Sequence, residues 1–154
     1  MDSIEIKQIR KIDEEPSLWK LLLSADPSKE LIEQYLPASK IYVALLNRKI
    51  VGEYVLTTIS SDVLELKNIA VDENYQHQGI GKQLILDAIH KAKEEGVKKI
   101  EVGTGKDTFQ QSLYQKCGFQ IIGIDKDFFK KHYKEEIIEN GVTVTDMIRL
   151  AINL

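Results

Sequence analysis

One cysteine, Cys117, in a chain of 154 residues leaves no internal disulfide framework. No apolar run approaches the roughly 20 residues needed to cross a bilayer, so no membrane partner is expected. The first residues carry no basic-then-apolar segment, and together with the cysteine usage this points to a cytoplasmic protein. Positive charge is not in surplus: 21 Lys and Arg stand against 24 Asp and Glu, interleaved, for a net charge of -3. Without a basic face to meet a phosphate backbone, nucleic acid is not an expected partner, although a local anion site remains open. Histidine is scarce as well. His77, His90 and His132 show no i, i+4 pairing and no accompanying cysteine or carboxylate cluster, so no metal is expected.

What the chain does contain is an ordinary globular balance, 43% hydrophobic and 29% charged, at a length that suits a single domain over residues 1–154. IEIKQI (Ile4 to Ile9) alternates apolar and polar and reads as a strand; SLWKLLL and KELIEQYL read as short helices. IYVALLN and KIVGEYVLTTI, joined through Asn47 and Arg48, read as a hairpin, and DVLELKNIAV as a third consecutive strand. From Gly79 the apolar positions Ile80, Leu84, Ile85, Ala88, Ile89 and Ala92 recur at helical spacing until Gly96. KKIEVGT predicts a strand, TFQQSLYQKC a short helix and GFQIIGI another strand. DFFKKHYKEE fits either helix or loop. Asn140-Gly141 predicts a turn between EEIIE and one long terminal strand, VTVTDMIRLAI, which leaves an edge able to pair in a homodimer. The order is that of a mixed α/β layout, not a strict βαβ alternation.

The informative stretch is NIAVDENYQHQGIGKQLILDAI, Asn68 to Ile89. A strand-like run ends at Val71, a polar septet follows, and glycines 79 and 81 open the helix. Bare backbone there lets several N–H groups without intrahelical partners converge where the helix dipole is positive, which suits a phosphate. Gln76, His77, Gln78 and Lys82 add polar or cationic groups nearby. A Rossmann fingerprint fails, because Leu84 stands where a third glycine or alanine is needed and the septet separates the first glycine from the strand. A P-loop fails too: before GTGKDT the first glycine is replaced by Ile100, and Asp107 follows the lysine.

The pattern that remains, Gln76, Gly79 and Gly81 between a strand and an amphipathic helix, resembles the acyl-CoA-binding motif of the GNAT superfamily of N-acyltransferases. About 30 residues on, SLYQKCGFQIIG (Ser112 to Gly123) resembles that family's second motif, a tyrosine on a short helix followed by a Gly-Phe that opens a strand. The resemblance covers Val63 to Ile124 in detail. It implies an α/β (α+β) fold with a central mixed, mostly antiparallel sheet flanked by helices. The strand ending at Val71 and the one from Lys98 splay apart in such a fold to admit a pantetheine arm. It implies acetyl-CoA as co-substrate, with backbone groups of Ile69 and Val71 pairing with pantetheine amides. The amides of Gln76, His77, Gln78, Gly79, Ile80, Gly81 and Lys82 would hold the pyrophosphate. Two positions depart from the family pattern: Asp107 stands where an asparagine is common and Gln110 where an alanine is.

The implied reaction is N-acetyl transfer to an amine of a small molecule or protein. A primary alkylamine with a pKa of about 10.4 is about 0.04% neutral at pH 7, a handicap of roughly 4 to 5 kcal/mol, so a base must take its proton. The resemblance marks Tyr114 as the acid that protonates the departing thiolate and Glu65 as the base; Glu53, on the preceding strand, is the alternative base. Cys117 invites a nucleophile reading, but no histidine lies near it in sequence and a small buried apolar role is the simpler one. Residues of the first 40 positions and of Asp125 to Glu139 are expected to shape the acceptor pocket. Their acidic members Asp13, Glu14, Glu15, Glu135 and Glu136 suit a cationic acceptor. A non-catalytic acetyl-CoA sensor and an enzyme for a longer acyl group are the competing readings.

Overall fold

The computed structural model describes residues 3–10 and 16–154. Asp13, Glu14 and Glu15 lie outside the described residues. The sheet strands are β1 (Glu5–Ile9), β2 (Ser39–Leu46), β3 (Lys49–Thr58), β4 (Val63–Val71), β5 (Lys99–Gly105), β6 (Gln120–Asp125) and β9 (Met147–Asn153), ordered β1-β2-β3-β4-β5-β9-β6. All neighbours are antiparallel except β4 and β5. The helices are α1 (Pro16–Ala25), α2 (Lys29–Tyr35), α3 (Ile80–Glu94), α4 (Phe109–Lys116) and α5 (Phe128–His132).

Local chemistry accounts for most boundaries. Asn47 and Arg48 both adopt positive φ between β2 and β3, and Asn140 and Gly141 do so between β7 (Ile137–Glu139) and β8 (Val142–Val144). That is the geometry of a two-residue hairpin turn matched to strand twist. Ser28 caps α2 by accepting from the Leu31 N–H at 3.2 Å, and Thr108 caps α4 by accepting from the Gln111 N–H at 3.3 Å. Gly96, at φ 76°, follows the end of α3, as its place in the sequence predicts. The ambiguous DFFKKHY segment contains the short helix α5, entered through Asp127 in the left-handed region.

The terminal segment corrects the sequence reading. VTVTDMIRLAI is not one strand: β8 belongs to a separate two-stranded sheet with β7, and β9 to the main sheet. The break falls at Thr145 and Asp146, whose polar groups serve other segments. The Thr145 carbonyl accepts from the Phe129 N–H at 3.0 Å, the Asp146 carbonyl from the Lys106 N–H at 3.0 Å, and Asp146 Oδ1 from the Asp127 N–H at 2.9 Å. Nor is the last strand an edge. β9 pairs with β5 on one side and β6 on the other, so Arg149 faces both Gly103 and Gly123, and the sheet edges are β1 and β6. The expectation of dimer pairing through the last strand therefore loses its basis.

Alternation along β3 separates two cores. Tyr54 stacks on Tyr42 at 4.8 Å and donates to Asp87 Oδ2 of α3 at 2.5 Å; with Leu56, Leu64, Leu66, Ile80, Leu84, Ile85 and Ala88 it forms the core under α3. Val55, across the strand, joins Val43, Ile41, Leu18, Leu22 and Ile32 in a second core under α1 and α2. Directly opposed residues of an antiparallel pair share a face. Glu53, opposite Val43, and Asn68, opposite Val55, therefore lie on the α1/α2 face.

Two irregularities shape the middle of the sheet. Register shifts between Val55 and Leu56 leave Lys67 as an extra residue in β4, a β-bulge, which bends the bulged strand and increases its twist. The parallel pairing of β4 with β5 stops at Leu66 and Val102, one residue before that bulge. Beyond it β4 continues to Val71 along β3, and β5 continues to Gly105 along β9. The two strands part, leaving a gap in an otherwise closed ladder.

The α3 packing that backs this gap sets a stability expectation. Leu84 is fully buried, so Leu84→Ala should lower the unfolding free energy by about 2 to 5 kcal/mol, read as a drop in denaturant midpoint with an unchanged slope.

Candidate active site

On one side of the gap stands the loop into α3. It is braced from within: the Asp72 N–H donates to the Val51 carbonyl at 2.8 Å, Asp72 Oδ1 accepts from the Asn74 N–H at 2.9 Å, and Gln76 Nε2 donates to the Val71 carbonyl at 3.1 Å. Gln76 thus spends its side chain on the end of β4, which leaves its backbone for a ligand. Gln76, His77, Gln78, Gly79 and Lys82 are exposed, while the Ile80 side chain is buried in the core under α3, so only its backbone can face a ligand.

Gly79 is the N-cap of α3 at φ 83°, ψ 6°, without a side-chain cap. A Cβ there would meet nothing within 4 Å, so the requirement is the left-handed backbone and not crowding. At Gly81 a Cβ would touch Leu113 at 3.5 Å and Val71 at 3.9 Å, ordinary contacts. Neither glycine is demanded by the packing of the protein on itself. What the pair provides is an uncovered helix start whose first N–H groups are free of capping side chains, the geometry suited to an anion. Ile69 and Val71 lie beside it on the length of β4 that pairs with β3 but no longer with β5.

Tyr114 of α4 closes the gap from the α3 side. Its ring meets Phe119 edge-on at 5.5 Å and is 3% exposed. Among the described residues its hydroxyl has no side-chain hydrogen-bond partner. Burial first, and then the charge of Glu53, push that hydroxyl well above the ordinary phenol range, so it holds its proton at neutral pH. Tyr114 belongs to the core under α3 and Glu53 to the α1/α2 face. Cys117 is the C-cap residue just past that helix. Burial pushes its thiol up, against the opposing charge of Lys82, which keeps it protonated and argues against a thiolate nucleophile.

The α1/α2 face of the gap holds a polar cluster. Asn68 Nδ2 donates to the Leu22 carbonyl and to the Tyr35 hydroxyl, each at 3.1 Å. Tyr35 is raised by burial, then lowered in part by that bond, with Asp26, Glu53 and Glu65 adding negative charge nearby. Tyr133, just past α5, donates to Asp26 Oδ1 at 2.9 Å. Lys67, the bulge residue, pairs with Glu65 at 3.2 Å and lies 5.7 Å from the Tyr35 ring centre. Glu65 sits opposite Thr57 and alongside Glu101, in the still-paired part of β4, whereas Glu53 lies opposite Ala70, beyond the parting. Glu53 is wholly buried, and burial holds its carboxyl well above the usual carboxylate range.

The structure thus places Ile69, Val71 and Glu53 along the stretch where β4 has left β5, next to the start of α3, while Glu65 lies in the paired stretch before it. Asp26, Tyr35 and Tyr133 fall within the two segments that the sequence marks for the acceptor pocket, whereas Asn68 was missed, its one signal being a lone amide within the apolar run before the loop. The Asn68–Tyr35 and Tyr133–Asp26 bonds join residues far apart in the chain.

This geometry has close counterparts. The family model described as the acetyltransferase (GNAT) family matches residues 6–119. YvbK, an uncharacterized N-acetyltransferase of Bacillus subtilis (strain 168), is 50% identical over 138 residues, 89% of this chain and 89% of its own length. A GNAT family acetyltransferase from Elizabethkingia anophelis, solved with acetyl-CoA bound, is 49% identical with a TM-score of 0.92 over 100% of both chains. A Bacillus subtilis acetyltransferase solved in complex with CoA is 46% identical with a TM-score of 0.90 over 99% of each chain. With the mostly antiparallel sheet, its single parallel pair and the flanking helices, these matches establish that the chain belongs to the GNAT family of acetyltransferases.

Proposed function

We propose that this GNAT N-acetyltransferase binds acetyl-CoA across the gap between β4 and β5 and passes the acetyl group to a primary amine by direct attack, with Tyr114 as general acid. The acceptor is a small molecule or a protein. The observation that carries the reading is the hydroxyl of buried Tyr114, without a side-chain partner among the described residues and raised by burial and by the charge of Glu53. A phenol in that position keeps its proton until a stronger base arrives. The thiolate released by the reaction would form in the same dry gap, where lack of solvation raises its basicity too.

For the cofactor, the support is the bare start of α3 and the binding of acetyl-CoA and CoA by the two relatives that share the fold along their whole length. Backbone groups of Ile69 and Val71 would take the pantetheine amides, and the amides from Gln76 through His77, Gln78, Gly79, Ile80 and Gly81 to Lys82 the pyrophosphate. The amine would enter over the α1/α2 face, where Tyr35, Tyr133 and Asp26 line the approach. Its proton would pass to one of the two carboxylates on that face, Glu65 at the position the resemblance marks, or Glu53.

The test of the activity is release of free CoA from acetyl-CoA against a panel of primary amines. Release that depends on an amine is the expected result; binding of acetyl-CoA with no release over the panel would make the chain a sensor. Tyr114→Phe should keep acetyl-CoA affinity and lower turnover at least about tenfold. Equal turnover in the variant would remove Tyr114 from the chemistry.

A further inference from the structure

Among the described residues, three buried oxygen acceptors lack a donor: Glu53 Oε1, Glu53 Oε2 and Asn68 Oδ1. Glu53 is 0% exposed and Asn68 4%. Both stand on the α1/α2 face, on adjacent strands and one diagonal step apart in register, within about 7 to 8 Å between backbones. A buried charge or polar atom left unpaired costs stability, so such a concentration in an otherwise satisfied core points to a partner that is bound and released.

The surroundings say what kind. Val43 of β2 and Ala70 of β4 stand opposite Glu53 and Asn68 one diagonal step away, with Glu65 farther along β4; the charge of Glu53 also raises the Tyr35 and Tyr114 hydroxyls. No described cation answers it: Lys67 is engaged by Glu65 and the Tyr35 ring. The Asn68 amide donors are also taken, by Leu22 and Tyr35. What is missing is a compact cation with several N–H donors.

We propose that Glu53 and Asn68 form the docking site for the amino group of the acceptor, which enters as a primary ammonium ion with three N–H donors for the three unpaired oxygens, and that Glu53 receives its first proton. The binding part stands alone; the chemical part rests on the acetyl-transfer reading. In that step the freed nitrogen lone pair forms a bond to the thioester carbonyl carbon, the carbon–sulfur bond breaks, and Tyr114 protonates the departing sulfur. The second amine proton returns to Tyr114, and Glu53 releases the first to solvent. An ammonium ion thus becomes an amide, a thiol and one free proton. A fully substituted ammonium offers no N–H, and the site rejects it.

The direct readout is carboxyl-carbon NMR of the CoA-loaded protein with 13C-labelled glutamate side chains, where the Glu53 resonance is the one absent from Glu53→Gln. Methylammonium chloride is the probe and tetramethylammonium chloride the control. We expect methylammonium to lower the Glu53 titration midpoint by at least about one pH unit, a tenfold preference for the ionised form, and the control to leave it in place. No shift, or the same shift with both salts, overturns the proposal. Stability gives a second check. A carboxyl with a raised folded-state pKa binds more protons folded than unfolded, so stability falls as pH rises above the ordinary carboxylate value. Glu53→Gln should therefore melt progressively higher than the wild type as pH rises; a lower melting temperature at alkaline pH would mean that the carboxylate already has a partner.

Turnover separates this proposal from the activity it builds on. On an amine that the wild type acetylates, Glu53→Gln should lose at least about 100-fold in kcat/KM, together with the acidic limb of the pH–rate profile. Acetyl-CoA affinity should hold, and Glu65→Gln should retain the limb. Unchanged kcat/KM in Glu53→Gln overturns the docking site and leaves the acetyltransferase. A methylammonium shift without amine-dependent CoA release from the wild type keeps the docking site and removes the acetyl transfer.

Discussion

Everything in this molecule that bears on chemistry depends on one interrupted hydrogen-bond ladder. β4 and β5 pair only as far as Leu66 and Val102. A continuous parallel pair would consume the backbone groups of Ile69 and Val71 and seal the two faces of the sheet from each other. The bulge at Lys67 turns β4 toward β3 at the point where pairing with β5 ends, and β9 continues to hold β5, so each strand keeps a partner on its far side. The parting thus exposes backbone only inward, at little expense to the rest of the sheet. Tyr114, in the core on one face, is raised by the charge of Glu53 on the other.

The two faces are built for different tasks. Toward α3 the lining is apolar and closely packed, with Leu84, Ile85 and Tyr54 fixing the helix whose N-terminus opens onto the gap. Toward α1 and α2, β3 contributes Glu53 and Thr57 and β4 contributes Glu65 and Asn68, and Asn68 ties that face to Leu22 and Tyr35. Burial raises Tyr35, Tyr114 and Tyr133 together. Such an environment keeps phenols protonated, and a carboxylate held there gains from any cation that arrives.

Much of the architecture was legible from the sequence because its signals are local. The Asn47-Arg48 and Asn140-Gly141 turns and the helix from Ile80 to Glu94 each follow from a few neighbouring residues. The end of the chain was not legible. VTVTDMIRLAI alternates well enough for one strand, and its division at Thr145 and Asp146 is set by hydrogen bonds to Lys106, Asp127 and Phe129, residues that only the fold brings near. The site divides the same way. The glycines and Tyr114 stand in a recognisable order along the chain, whereas the pairing of Glu53 with Ala70, and of Asn68 with Val55, depends on strand register. Glu53 reads in sequence as an alternative base on the strand before NIAV; its complete burial, which the sequence does not signal, follows from α1 and α2 covering that face.

The central claim is that the uncovered start of α3 and the parted strands hold acetyl-CoA. Calorimetric titration of the folded wild type and of a Gly79→Asp, Gly81→Asp double variant, confirmed to be folded, tests it most directly. Binding with a dissociation constant on the order of micromolar in the wild type, lost when carboxylates stand at the helix start, is the result this account predicts. Absence of binding to the wild type, or equal binding by the double variant, would contradict it and return the two glycines to a turn.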